Sequence, residues 1–540
     1  MKTNVVKSVS LCGFLYVAMS HAVSAQPLLP STGPFQPTWE SLRQYDCPDW
    51  FRDAKFGIWA HWGPNSVAEY GDWFPRRLYI QSNTWAFPDL PPAYSYHLNK
   101  YGHPSQFGFK DLIPLFKCEK WDPEALMKLY YKAGARYFVS MAMHHDNFDL
   151  WNSKYQPWNS VNMGPKRDIV KEWQQAALHN NMKFGVSNHG EGTWRYWEIT
   201  RMADTNGPMK GVPYDGWLTK ADGKGKWWEG YDPQDLYTRP HRPGQPAYEG
   251  PFPDNSGDPP DEIFKTSLMN RTVDLIDNYH PDLIYFDGGI PFNRLDLASY
   301  YYNQSQKLNN GKNQAVINIK GARTEDRQKA VVADIENGQS DTMRKYPWQT
   351  DTALDGWFYT NPKYLITPGR GPVPTKDIVL QLVDIVSKNG NLLLNINLLA
   401  DGTIVDPYVK FLNEMAQWMD VNGEAIHGTR PWEIFGEGPT KLLTGRGNES
   451  NRPKEYTSED IRFTTKGKSL YAIIMAWPGK EVTIKSLPKG KVLWFGDIND
   501  VQMLGSGGSL KWAQDEKGLA VQLPAVPPCQ YAYALRISGK

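Results

Sequence analysis

The strongest constraint on the fold is a rhythm of short, continuously apolar runs, each followed by a polar or glycine-containing loop. The runs at 56–62, 137–143, 184–188, 282–286, 315–319, 331–335 and 391–396 are rich in Val, Ile, Phe and Tyr. They are continuous rather than alternating, as strands buried on both faces must be. Helical spacing fills several of the gaps between them. The segment 123–133 begins after Asp122, a side chain that caps a helix start, carries Pro123 in its first turn and stops at Gly134. The segment 266–279 places Leu268, Val273, Leu275 and Ile276 on helical spacing, and 376–388 does the same with Ile378, Leu380, Leu382, Val383 and Ile385. Strands alternating with helices predict an α/β fold, either a barrel or a doubly wound sheet. No dinucleotide-type glycine fingerprint follows the first strand and no phosphate loop occurs. A (β/α)8-type barrel is therefore expected.

Two stretches break the rhythm. Residues 190–262 are rich in Gly, Pro, Trp, Asp and Lys and far too long for an ordinary connection. Such an insertion in a barrel enzyme is expected to wall the active site. After Arg430-Pro431-Trp432, short alternating runs at 470–477, 482–484, 492–495 and 531–537 predict an all-β sandwich. At the other end, Lys2 and Lys7 precede an apolar run at 9–17, and Val23-Ser24-Ala25 offers the small residues of a cleavage site. The expected division is a signal peptide at 1–25, a catalytic barrel domain at 26–435 containing the insertion, and a β-sandwich at 436–540. Export to the periplasm or the outside follows, and the leader is too short to span a bilayer as a mature helix. Removing the leader leaves Cys47, Cys118 and Cys529, an odd count that builds no disulfide framework and no zinc-type pair. A single bridge among the three stays open.

Charge excludes one class of partner. The 59 basic and 58 acidic residues give +1, so no basic field for nucleic acid exists. Aromatic residues make up 13% of the chain, which permits sugar binding, because aromatic faces stack on the C–H face of a pyranose. Active sites of barrels sit at the C-terminal ends of the strands. Reading those ends gives His61, then His144-His145-Asp146, then Asn188-His189-Gly190-Glu191, then Asp287, then Glu336. Five strand ends carry five titratable clusters, a joint placement that structural histidines and salt-bridging carboxylates do not explain. Glycosidic cleavage needs two carboxylates, one attacking the anomeric carbon and one protonating the leaving oxygen. Asp287 is the expected nucleophile and Glu336 the expected acid/base, with Glu191, Glu229 and Asp232 of the insertion as rivals for the second role. His144 and His145 invite a metal, but neighbours on a strand point to opposite faces. Hydrogen bonding of neutral imidazoles to sugar hydroxyls is the expectation instead, with no metal and no cofactor.

Seven ordered motifs then resemble a known family. Lys55-Phe56-Gly57-Ile58-Trp59-Ala60-His61-Trp62-Gly63-Pro64, Asp72-Trp73-Phe74-Pro75-Arg76, His144-His145-Asp146-Asn147-Phe148, and Trp151-Asn152-Ser153-Lys154-Tyr155 with Lys166-Arg167-Asp168 are similar to segments of glycoside hydrolase family 29, the α-L-fucosidases. So are 281–288, the run Val386-Ser387-Lys388-Asn389-Gly390-Asn391-Leu392-Leu393-Leu394-Asn395, and Val421-Asn422-Gly423-Glu424-Ala425-Ile426. The resemblance spans residues 38–435. It implies a retaining, cofactor-free, exo-acting hydrolase of α-L-fucosides, with Asp287 as nucleophile and Glu336 where the acid/base is often found. It also implies a sugar pocket lined by Trp59, His61, Trp73, His144 and His145, with Asp72 where the family usually has Glu. Trp357 opens an aromatic run where the family sets an aromatic near the C5 methyl of the sugar. Tyr285 stands in place of a common Trp, and His189 in place of the usual Tyr or Trp. At the expected Arg, Asn318-Ile319-Lys320 leaves the role unfilled or passes it to Lys320 or Arg323. These departures surround the glycone, so an exo-α-L-galactosidase acting on algal galactan oligosaccharides is the alternative within the class. An inactive secreted sugar-binding protein is the alternative outside it.

Overall fold

In the computed structural model, the described residues are 29, 32–81, 90–238, 259–366, 371–441 and 455–539. The proposed leader and Cys12 lie outside them. Eight parallel strands close into one barrel: β1 (Phe56–Ala60), β2 (Tyr137–Met143), β3 (Lys183–Asn188), β4 (Leu283–Phe286), β5 (Val316–Lys320), β6 (Val332–Asp334), β7 (Trp348–Ala353) and β8 (Gly390–Asn395). Sequential neighbours pair, and β8 closes on β1 with Gly57 opposite Leu393.

Seven of these strands are the apolar runs read from the sequence. The eighth, β7, was not expected, because its residues Trp348-Gln349-Thr350-Asp351-Thr352-Ala353 are mostly polar although all are buried. Partners inside the barrel make that burial tolerable. Gln349 donates to Asp334 at 2.7 Å, Thr352 to Asn337 at 2.9 Å, and Asp351 accepts from the Tyr285 hydroxyl at 2.9 Å.

The helix Pro123–Lys132 is capped as expected, Asp122 accepting from the Ala125 amide at 2.9 Å, and Gly134 takes a positive φ of 101° just past its end. The helix Glu262–Tyr279 starts four residues before the expected 266, where Asp261 accepts from the Phe264 amide. The helix Thr375–Ser387 agrees with 376–388 to within a residue.

The C-terminal strands are β9 (Arg430–Glu437), β10 (Ile461–Lys466), β11 (Ser469–Ile474), β12 (Glu481–Ile484), β13 (Ile498–Met503), β14 (Trp512–Asp515), β15 (Gly518–Gln522) and β16 (Tyr533–Gly539). They form an antiparallel five-stranded sheet, β13-β16-β11-β10-β9, and a three-stranded sheet, β12-β15-β14. Phe463, Ile474 and Ile537 of the first share a core with Ile484, Leu519 and Val521 of the second. The expected strand at 492–495 is instead loop and turn, with Val492 and Trp494 exposed. The apolar residues there run into a turn at Trp494-Phe495 rather than a ladder. The strand β9 straddles the boundary expected at 435/436. Among the described residues, no helix is long and apolar enough to cross a membrane.

Candidate active site

The strands deliver the candidate residues to one end of the barrel. His61 follows β1, His144 and His145 follow β2, His189 follows β3 and Asp287 follows β4. Lys320 is the last residue of β5, Glu336 lies just past β6, and Asp351 sits within β7. Together with Trp59, Asp72, Trp73 and Trp357 they line a cavity of about 470 Å³. Because His144 and His145 lie beyond the strand end, strand alternation does not separate them. Their rings are 4.6 Å apart and both face the cavity.

Tyr285, expected at the sugar, does not line this cavity. It is fully buried behind Trp59, ring centroids 4.6 Å apart, and anchors Asp351. The rivals Glu191, Glu229 and Asp232 do not line it either. Glu191 accepts from the Phe292 amide, Glu229 from the Gly225 amide, and Asp232 caps a helical turn through the Gln234 amide. No described residue of the insertion lines the cavity; the insertion backs its lining instead, Tyr196 packing against Trp73 at 5.3 Å and His145 at 5.9 Å.

One ammonium organises the chemistry. Lys320 Nζ donates to Asp287 Oδ1 and, at 2.8 Å, to Glu336 Oε2. His145 Nε2 lies 3.3 Å and His189 Nδ1 3.2 Å from the other Asp287 oxygen. The His189 approach is close but poorly aligned, and neither of its ring nitrogens has a well-formed hydrogen bond among the described residues. His145 is fixed from behind, Nδ1 lying 2.9 Å from the His189 carbonyl, and His61 by Asn395 Oδ1 at 2.9 Å.

Burial pushes the Asp287 carboxyl up, but the Lys320 ammonium, then His189 and His145, outweigh it and hold the group well below the usual carboxylate range. Asp287 is therefore an anion ready to attack. Burial would discharge Lys320, yet Asp287, Asp351 and Glu336 raise it well above its ordinary value. Burial, reinforced by the neighbouring rings, lowers His61 and His144 well below 6.5, and it lowers His189 against the pull of Asp287. These are neutral rings, each offering one donor and one acceptor to a hydroxyl. Burial also pushes Asp72 up to about 7, against His145 and the Trp73 amide.

A second cleft of about 980 Å³ meets the first at Asp287, Lys320 and Glu336, and runs out past Arg323, Asp341 and Arg344. Two residues of this arrangement were hard to find in the sequence. Lys320 reads from the sequence only as a stand-in for Arg, and Asp351 lies in a strand too polar to be read as one. The three cysteines Cys47, Cys118 and Cys529 are all free.

Comparison with known proteins supplies the rest. Residues 22–424 match the α-L-fucosidase family and residues 454–538 the α-L-fucosidase C-terminal domain. Tissue α-L-fucosidase of Rattus norvegicus is 27% identical over 505 residues, covering 92% of this chain and 89% of the relative. Plasma α-L-fucosidase of Homo sapiens is 27% identical over 523 residues, covering 94% and 92%. Among solved structures, an α-fucosidase of Thermotoga maritima superposes with a TM-score of 0.65 at 25% identity, covering 93% of this chain and 100% of that one.

Proposed function

From the premise that the chain belongs to the α-L-fucosidase family, glycoside hydrolase family 29, and is a glycoside hydrolase, we propose an exo-acting, retaining enzyme that releases terminal α-L-fucose from glycans. Asp287 attacks the anomeric carbon while Glu336 protonates the departing oxygen. Glu336 then takes a proton from water, which opens the glycosyl ester and returns both carboxyls to their starting states. The glycone occupies the histidine-lined cavity and the leaving group the larger cleft, with the bond to be cut at their junction.

The single observation that carries this reading is the shared ammonium. Two bonds to one Nζ hold the nearest oxygens of Asp287 and Glu336 within two hydrogen-bond lengths of each other, and retaining enzymes need their two carboxyls close together, about 5–5.5 Å apart. The same proximity argues against a protein that only binds sugar. The test is hydrolysis of aryl α-L-fucoside. Asp287→Ala should abolish activity, and Glu336→Ala should lose most of it, with partial rescue by azide. Unchanged rates in Asp287→Ala would remove the nucleophile from this reading, and unchanged rates in Glu336→Ala would move the acid elsewhere.

One observation favours a second glycone. His189 is buried, its Nδ1 facing Asp287 at 3.2 Å and its Nε2 without a hydrogen-bond partner among the described residues, and that nitrogen offers a bond that the extra C6 hydroxyl of L-galactose would take up. A higher kcat/KM on aryl α-L-galactoside than on the fucoside selects it. The leader features at 2–25 support export, and a mature N-terminus at Gln26 in secreted or periplasmic material is the expected result.

A further inference from the structure

Three imidazoles converge in the cavity from three different strands: His61 after β1, His144 after β2 and His189 after β3. One ring nitrogen of each lies within 4.8 Å of the others. The ring centroids are 5.8 Å apart for His61 and His144, 5.5 Å for His61 and His189, and 5.0 Å for His144 and His189. Three imidazoles on a tetrahedral ion at Zn–N of about 2.0–2.1 Å would hold their centroids roughly 5 Å apart, so small ring movements suffice. The support behind the rings also fits. Asn395 Oδ1 at 2.9 Å from His61 Nδ1 turns the opposite nitrogen inward, the arrangement that orients metal-bound histidine. His189 is buried, with Nδ1 3.2 Å from Asp287 and Nε2 without a hydrogen-bond partner among the described residues.

We propose that His61, His144 and His189 form a three-imidazole site for a late first-row divalent ion, Zn²⁺ foremost. Its fourth position faces the cavity. Nitrogen-only ligation selects Zn²⁺, Cu²⁺ or Ni²⁺ over Mg²⁺ and Ca²⁺, which take oxygen. The site does not serve hydrolysis. Resting on the reading of this cavity as the glycone pocket, the ion and the sugar exclude one another, and the enzyme is reversibly inhibited by the metal.

The test titrates ZnCl₂ into the chelator-treated full-length mature protein by calorimetry, with Co²⁺ visible absorption as a second readout. One ion per chain is expected, with affinity falling at least about tenfold in His61→Ala, His144→Ala and His189→Ala, and no comparable binding of Mg²⁺. If a substitution prevents folding, the wild-type Co²⁺ spectrum decides, four-coordinate bands without a thiolate charge-transfer band being required. No saturable binding, affinity undiminished in all three variants, or a thiolate band that places the ion on cysteine would each overturn the site. Kinetics separate the two readings. Zn²⁺ should raise KM without lowering kcat, reversibly with chelator. Binding that depends on the three histidines yet leaves KM alone keeps the metal site and removes the glycone from this cavity.

Discussion

Asp287 owes its ionisation to neighbours rather than to its place on a strand. Burial alone would protonate it, and the Lys320 ammonium is the largest force in the other direction. Replacing Lys320 by Met keeps the stem and removes the charge. We expect kcat/KM on aryl α-L-fucoside to fall by about 10²–10³. The acid limb of the pH–rate profile should move upward, because the carboxyl must lose its proton before it can attack. An unmoved acid limb would separate Lys320 from the nucleophile. Asp146 is the opposite case. It is buried, and burial pushes its carboxyl up to about 7, against the Phe148 amide and His145. Its folded pKa lies above the unfolded value, so the stability it withdraws appears as pH rises from about 4 and is complete above about 7. Asp146→Asn keeps the acceptor for the Phe148 amide and should gain thermal stability over wild type at alkaline pH but not in acid. Parallel melts at the two pH values check this.

At the scale of elements, hydrophobic continuity made most of the barrel legible and its site nearly so. Strands buried on both faces announce themselves by apolar runs, and the residues just past them were the candidates at the cavity. The strand β7 escaped because its interior side is hydrogen-bonded rather than apolar, and Asp351 escaped with it. The first turn of the helix Glu262–Tyr279 carries Ile263 and Phe264, but its buried residues begin only at Leu268. Tyr285 lies behind Trp59 rather than at the cavity, a depth that residue type does not reveal. One element-level contact can be tested directly. A Cβ on Gly57 of β1 would meet the Tyr137 ring at 2.3–2.5 Å, and that ring is held by its hydroxyl's bond to Gln349 of β7 at 2.8 Å. Gly57→Ala should therefore destabilise by about 1–3 kcal/mol or more, read as a lower apparent Tm. An unchanged Tm would mean the Tyr137 ring can leave the barrel interior.

Across the whole molecule, the change from apolar continuity to short alternation marked where one architecture gives way to the other. It carried no information on how they dock. The docking combines a shared apolar cluster, in which Tyr471, Ile473, Met475 and Ala534 join Met415 and Trp418, with buried polar contacts. Asp384 of the helix Thr375–Ser387 accepts from Lys388 Nζ and from Arg462 Nε of β10, each at 2.7 Å, and the Trp418 indole donates to the Ala532 carbonyl at 2.9 Å. Removing one partner leaves a buried charge under-compensated, which typically costs about 3–5 kcal/mol. Arg462→Met should lower the apparent Tm and bring forward unfolding of the C-terminal sheets. A melt superimposable on wild type would show that the junction does not depend on this pair.

The most direct test of the account is to trap the first half-reaction. An activated 2-deoxy-2-fluoro-α-L-fucoside should inactivate the enzyme with release of one leaving group per chain. Mass spectrometry of the digested protein should find the sugar esterified to Asp287. A label on Glu336 or elsewhere, or turnover that yields the inverted anomer by NMR with no trapped ester, would contradict it.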